Sequence, residues 1–294
     1  MRAICLLLLG AFAAFGSRAP AAGQGAEGPI PVVAAVNTWG SVVAEIGGPR
    51  VQVRSLVTDP NADPHEYESN ASAARAIADA RFVVVNGAGY DAWADKLLAA
   101  GGRPDRVVLH ADAVVGARPG DNPHLWYAPA YVARVAQRIA ADLERIDPAG
   151  RAGYEARLRA FMAACAPYRN VLAAIRRRRA GTPVGASEDI AVYLAQDAGL
   201  RLTTPPAFMR AVAGATEPPA DAVIAFHRQI DARAIAVLLN NTQTATAVTD
   251  DIRRLARARG IPVVDLTETI VPTNVRFEDW QLAEVRRLQA ALGR

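Results

Sequence analysis

Apolar positions along this chain alternate between two rhythms: short unbroken runs rich in valine, and longer stretches spaced by threes and fours. Continuous apolar runs of four to eight residues mark strands buried on both faces of a parallel sheet, and the three-and-four stretches mark the helices that cover it. In the first half, strands are predicted at 32–36, 51–57, 81–86 and 107–109. Helices are predicted from a cap at Thr38 to about Ile46, over 69–80, over 90–100 with Trp93 and Leu97 one turn apart, and over 130–145.

The second half resumes the alternation. Strands are expected at 183–187, 200–204, 235–240 and 261–266, and helices at 189–198, 220–232, 245–259 and 277–292, with 204–219 read as a loop. Between the halves, Asp147-Pro148 opens a helix with proline at its first position. Tyr154, Leu158, Phe161, Cys165, Tyr168, Leu172 and Ile175 then draw one apolar stripe. A helix of about 30 residues, about 45 Å long, carries that stripe, long enough to join two lobes, with Pro167 kinking or breaking it near Ala166. The fold class expected is α/β, with two Rossmann-like lobes of parallel sheet joined by a long linking helix. The lobes are expected at 29–146 and 180–294 and the linking helix at 147–179.

A charged Arg2, an apolar run too short to span a bilayer and the small residues Ala19-Pro20-Ala21 predict a signal peptide over 1–22, and so an extracytoplasmic, periplasmic-type location. Cys5 lies too early in that run to accept a lipid, and removal of the leader leaves Cys165 alone. That excludes an internal disulfide and a cysteine-built zinc site, so any metal is held by histidine and carboxylate. Net charge is only +4, Lys96 is the sole lysine, and the basic run 176–179 ends a helical pattern. No nucleic-acid partner is expected.

The chemistry collects where strands end, because ligands of open parallel sheets bind beyond the carboxyl ends of the strands. His65 in Asp63-Pro64-His65-Glu66-Tyr67 and His124 in Asn122-Pro123-His124-Leu125-Trp126 sit in matched loops whose prolines restrict the backbone beforehand. Glu188 follows the strand at 183–187, and Glu268 follows the last strand. Two imidazoles from the first lobe and two carboxylates from the second predict a metal site in the cleft between them. Taken singly, each is also an ordinary polar loop residue. Asp189 and Glu66 adjoin favoured ligands, His110 follows a strand without a proline setting, and His227 lies on a helix.

His65-Glu66 lacks the second histidine of a zinc-protease helix, since position 69 is serine. Gly87-Ala88-Gly89-Tyr90-Asp91-Ala92 has the spacing of a dinucleotide loop, with Asp112 placed for a ribose, but it follows the third strand of its lobe and nothing else points to a nicotinamide.

Together the stretches around His65 and His124, Asn86-Gly87-Ala88-Gly89-Tyr90-Asp91-Ala92-Trp93, Pro205-Pro206-Ala207-Phe208-Met209, Glu217-Pro218-Pro219, Asn241-Thr242-Gln243 and Val264-Asp265-Leu266-Thr267-Glu268-Thr269-Ile270 resemble the zinc/manganese solute-binding proteins that serve bacterial ABC importers. The resemblance covers almost all of the mature chain. It implies one divalent ion, zinc or manganese, carried as transported ligand, a membrane ABC permease as partner, a monomer, and no catalysis. The family's first two ligands fall on His65 and His124, the third, often histidine, on Glu188, and the fourth, usually aspartate, on Glu268. The histidine-rich loop of many zinc-specific members is missing, with only 68–73 after the first ligand motif. These departures leave the ion open. The alternative is an exported metallohydrolase using the same site, which needs an open coordination position and a free base.

Overall fold

The computed structural model describes residues 28–293; the expected leader at 1–22 lies outside the described residues. The first lobe runs β1 (Ile30–Val36), α1 (Asn37–Gly47), β2 (Val51–Val57), α2 (Ala71–Asp79), β3 (Phe82–Val85), α3 (Ala92–Ala99), β4 (Val107–His110), α4 (Ala111–Val115) and α5 (Pro129–Ile146). The link is α6 (Arg151–Ala164) followed by α7 (Ala166–Arg179). The second lobe runs β5 (Pro183–Ala186), α8 (Val192–Asp197), β6 (Arg201–Leu202), α9 (Pro206–Ala213), α10 (Ala220–Asp231), β7 (Leu238–Asn241), α11 (Ala247–Ala258), β8 (Val263–Leu266) and α12 (Phe277–Leu292).

Both sheets are parallel, in the orders β2-β1-β3-β4 and β6-β5-β7-β8, so the lobes repeat one plan. Successive side chains of a strand face opposite sides. Val33, Ala35, Val83 and Val85 therefore pack with Ile77 and Ala94 on one side of the first sheet, while Val32, Val36, Phe82 and Val84 face the other with Trp39 and Val43. That second cluster does not stop at the lobe boundary. It continues through Tyr154, Phe161, Cys165, Tyr168, Leu172 and Ile175 of the link into Val184, Leu239, Val264 and Trp280 of the second lobe. The stripe read from the sequence is thus a shared core, and burying it joins the lobes.

As Pro167 predicts, the link breaks next to Ala166, at Cys165: Pro167 has no N–H for the carbonyl of Ala163, though Cys165 N still donates to Phe161 O at 2.9 Å. Other expectations need correction. Thr38 is not a cap: α1 starts at Asn37, and the Thr38 hydroxyl is buried without a hydrogen-bond partner among the described residues. The segment read as a loop over 204–219 contains α9, which uses Pro206 as a helix-starting residue. The strand expected at 200–204 shortens to two residues, and a short helix, α4, follows β4.

Candidate metal centre

The histidine loops share one local device. Asp63 Oδ1 accepts the backbone N–H of His65 at 2.9 Å, and Asn122 Oδ1 accepts that of His124 at 2.9 Å. In each Asx-Pro-His triplet the short side chain caps the residue two positions on, and the proline between them has no N–H to compete. Glu188 begins a tight turn after β5, its Oε2 accepting from Ile190 N at 2.8 Å. Glu268 lies just past β8, its N–H donating to Gln243 Oε1 at 2.7 Å.

The structure brings all four side chains together. His65 Nε2 lies 3.3 Å and His124 Nε2 3.5 Å from Glu268 Oε2, and His124 Nε2 lies 3.9 Å from Glu188 Oε1. His124, Glu188 and Glu268 are fully buried, and His65 is partly buried, its side chain 17% exposed. His65, His124 and Glu188 each offer a ligand atom within 4.8 Å of the others, as do Asp63, His65 and Glu268. His65 Nε2, His124 Nε2 and Glu188 Oε1 have no hydrogen-bond partner among the described residues.

Sequence reading did not find the supporting side chains. Tyr90 donates its hydroxyl to Glu268 Oε2 at 2.9 Å. Asn241 Nδ2 donates to Glu268 Oε1 at 2.7 Å and to Glu188 Oε2 at 3.2 Å. All three, Tyr90, Asn241 and Gln243, lie in stretches that carried the family resemblance, which was the one signal for them. Asp189 Oδ1 sits 3.3 Å from His124 Nδ1, the ring nitrogen opposite the cluster, and so faces the imidazole's outer edge. Glu66 is exposed. His110 is partly exposed 3.9 Å from Asp95, and His227 pairs with Asp251 at 3.2 Å; neither joins the cluster.

Charge is concentrated here in a place with little water. Burial opposes a charge on His124, but Glu188, then Asp189 and Glu268, outweigh it and hold its pKa well above the ordinary histidine value. Burial likewise opposes a charge on Glu268, yet the His124 and His65 imidazoles beside it bring its pKa below the usual carboxylate range. Glu188 goes the other way: burial raises it well above that range, and the pull of His124 offsets only part of this. Two imidazoles and two carboxylates with free lone pairs converging in a buried cleft make a donor set for a borderline divalent cation.

The glycine loop that imitates a dinucleotide site is already filled by the chain's own carboxylates. Asp91 accepts from Asn86 N at 2.6 Å and Gly87 N at 2.8 Å, and Asp112 accepts from Ala88 N at 2.7 Å. A Cβ at Gly87, whose φ is +77°, would lie 2.1 Å from the Asp112 carboxyl carbon. The amides that would hold a pyrophosphate are used to set Tyr90 against Glu268.

Fold and site together define a two-lobed α/β binding protein with a histidine–carboxylate cleft. Over residues 32–291 the chain matches the family of ZnuA, the periplasmic zinc-uptake complex component A, and it belongs to that family. It is similar to the manganese-binding lipoprotein MntA of Halalkalibacterium halodurans, 29% identical over 171 residues, which are 55% of this chain and 56% of the relative. The chain thus spans just over half the length of that curated relative. Among solved structures it is similar to ZnuA (TM-score 0.72, 23% identity, 90% of this chain and 99% of the other). It is also similar to the periplasmic zinc-binding protein TroA of Treponema pallidum (TM-score 0.75, 16% identity, 91% and 100%). At these identities the structural likenesses speak to the fold.

Proposed function

We propose that this chain is an exported receptor that captures one divalent ion, zinc or manganese, between its lobes and hands it to an ABC permease in the membrane. His65, His124, Glu188 and Glu268 are the proposed ligands. The observation that carries this reading is the set of buried ligand atoms without partners, His65 Nε2, His124 Nε2 and Glu188 Oε1, gathered beside Glu268 Oε2. A buried polar atom with no partner costs about 1–3 kcal/mol, so three at one point are explained by a cation they share.

The lobes at 29–146 and 180–294 act as the two jaws, the link at 147–179 as their joint, and the leader at 1–22 directs export; the protein works as a monomer. The relative MntA is named for manganese and TroA for zinc, which supports a divalent cation as cargo. Membership in an uptake family also favours a binding role over the exported metallohydrolase. The test is the metal content of protein purified without added metal, followed by titration with zinc and with manganese after stripping. One equivalent is expected for each ion, with zinc held more tightly, because nitrogen and oxygen sites follow the general order of divalent affinities. No binding, a stoichiometry other than one, or metal-dependent hydrolysis of esters or phosphates by the pure protein overturns the reading.

A further inference from the structure

The two carboxylates of the cluster do not face it symmetrically. Glu188 Oε2 is taken by Ile190 N at 2.8 Å and Asn241 Nδ2 at 3.2 Å, and Glu268 Oε1 by Asn241 Nδ2 at 2.7 Å. Only Glu188 Oε1 and Glu268 Oε2 are turned toward the imidazoles. Asn241 is the last residue of β7, and in the sheet order β7 lies between β5 and β8, the strands that lead to Glu188 and Glu268. Its amide therefore reaches both carboxylates at once, giving one N–H to each.

The orientation of that amide is fixed independently of the cluster. Asn241 Oδ1 accepts the backbone N–H of Gln243 at 3.0 Å, so the nitrogen has to face the glutamates. The backbone N–H of Asn241 donates to Ser187 Oγ at 2.9 Å, anchoring the residue from the other side. Turning either glutamate to present both oxygens breaks its bond to Asn241, a residue that is 1% exposed, and leaves a buried N–H unpaired.

Resting on the metal site proposed above, we propose that Asn241 is a positioning residue that sets the coordination number, and through it the ion preference, by occupying one oxygen of Glu188 and one of Glu268 so that only the other oxygen of each is turned toward the imidazoles. Two imidazole nitrogens and two single carboxylate oxygens form a four-coordinate shell. That shell suits zinc, whereas manganese gains from the five or six donors that bidentate carboxylates supply. Asn241 thus holds the site on the zinc side even though both lower ligands are glutamates with long, adaptable side chains.

The test replaces the ion by cobalt(II), whose visible bands are intense when tetrahedral and weak at five or six coordination, and compares zinc with manganese affinity in wild type, Asn241→Leu and Asn241→Ala. Wild type is expected to bind one equivalent and show intense bands. Asn241→Leu, similar in size but without N–H groups, is expected to show weaker bands and a zinc-to-manganese affinity ratio moved about tenfold toward manganese, the scale of losing an outer-shell partner. Asn240→Ala, which removes only a bond to Asp265, is expected to behave as wild type. If the wild type binds no metal, the receptor reading falls. If it binds one equivalent but its cobalt bands are weak, or if a folded Asn241 variant keeps the wild-type bands and ratio, the assignment to Asn241 is overturned. If neither variant folds, weak wild-type bands at one equivalent of cobalt still overturn the assignment.

Discussion

Gln243 Nε2 donates to the carbonyl oxygen of Ala62 at 3.0 Å, across 181 residues of chain. The same nitrogen reaches Asp59 O at 3.3 Å, while Gln243 Oε1 accepts from Glu268 N at 2.7 Å, Thr269 N at 3.0 Å and Thr269 Oγ1 at 3.2 Å. One buried amide therefore ties the loop leading to His65 in the first lobe to the loop carrying Glu268 in the second. Gln243→Ala leaves two buried N–H groups without acceptors and frees the two loops from one another. The expected outcome is a loss of about 1–3 kcal/mol of stability without metal and zinc binding weakened about tenfold. Chemical denaturation and competition titration measure both; unchanged values in both would mean that the loops are held by other contacts.

The four histidines divide cleanly by position. His65→Ala and His124→Ala each remove a ligand atom from the cluster and are expected to weaken zinc by more than the roughly 10–100-fold typical of losing an outer-shell partner. His227→Ala and His110→Ala remove side chains paired instead with Asp251 and Asp95, and are expected to leave affinity unchanged. Isothermal titration of the four variants checks this. Equal losses in His65→Ala and His227→Ala would remove the basis for the proposed site.

Much of this arrangement could be read along the chain because it follows from local patterns. The valine-rich run at 32–36 shows burial directly, the alternation at 51–57 shows the period of an edge strand, and His65 and His124 are marked by the Asx-Pro-His triplets that fix their backbone. Glu188 and Glu268 were reachable from strand ends alone. The roles of Tyr90, Asn241 and Gln243 were not, because each depends on which side-chain atom meets a group 27 to 181 residues away, and no periodicity encodes that. α9 was missed because Pro205-Pro206 resembles loop sequence as much as a helix start, and its buried Phe208, Met209 and Val212 span only two turns.

Away from the cluster, Glu45 on α1 faces Glu278 on α12. Burial, then the nearby Glu278, push the Glu45 pKa from its ordinary 4.5 to about 8, only partly offset by Arg276 and by the Ser41 hydroxyl. A carboxyl whose pKa is higher folded than unfolded binds its proton more tightly in the folded state. Its contribution is present below about pH 4.5 and is lost as pH rises toward about 8. The metal-free protein is expected to melt at lower temperature at pH 9 than at pH 6, and Glu45→Gln to shrink that difference. Glu284, buried and raised to about 7, leaves a remainder of the same sign. A Glu45→Gln variant with the full wild-type pH dependence would show that the pair does not titrate as described.

Metal and protons compete for the cluster itself. The His124 pKa is held well above its ordinary 6.5 by its three carboxylate neighbours against the effect of burial, and burial holds that of Glu188 well above 4.5. Both groups therefore keep protons at pH values where free side chains would have lost them, and a cation that uses His124 Nε2 and Glu188 Oε1 has to displace those protons. Binding at pH 7.5 is expected to release protons, so the measured heat should differ between buffers of different ionisation enthalpy, such as phosphate and Tris. Affinity should fall with decreasing pH, up to about tenfold per unit for each displaced proton. A ligand bound only by the folded state stabilises it by about 4 kcal/mol at a thousand times its dissociation constant, and the gain vanishes as that constant rises past the metal concentration. Zinc should therefore raise the melting temperature clearly at pH 7.5 and hardly at all at pH 5. Equal gains at both pH values, together with a heat independent of buffer, would mean that the ion is not held by His124 and Glu188.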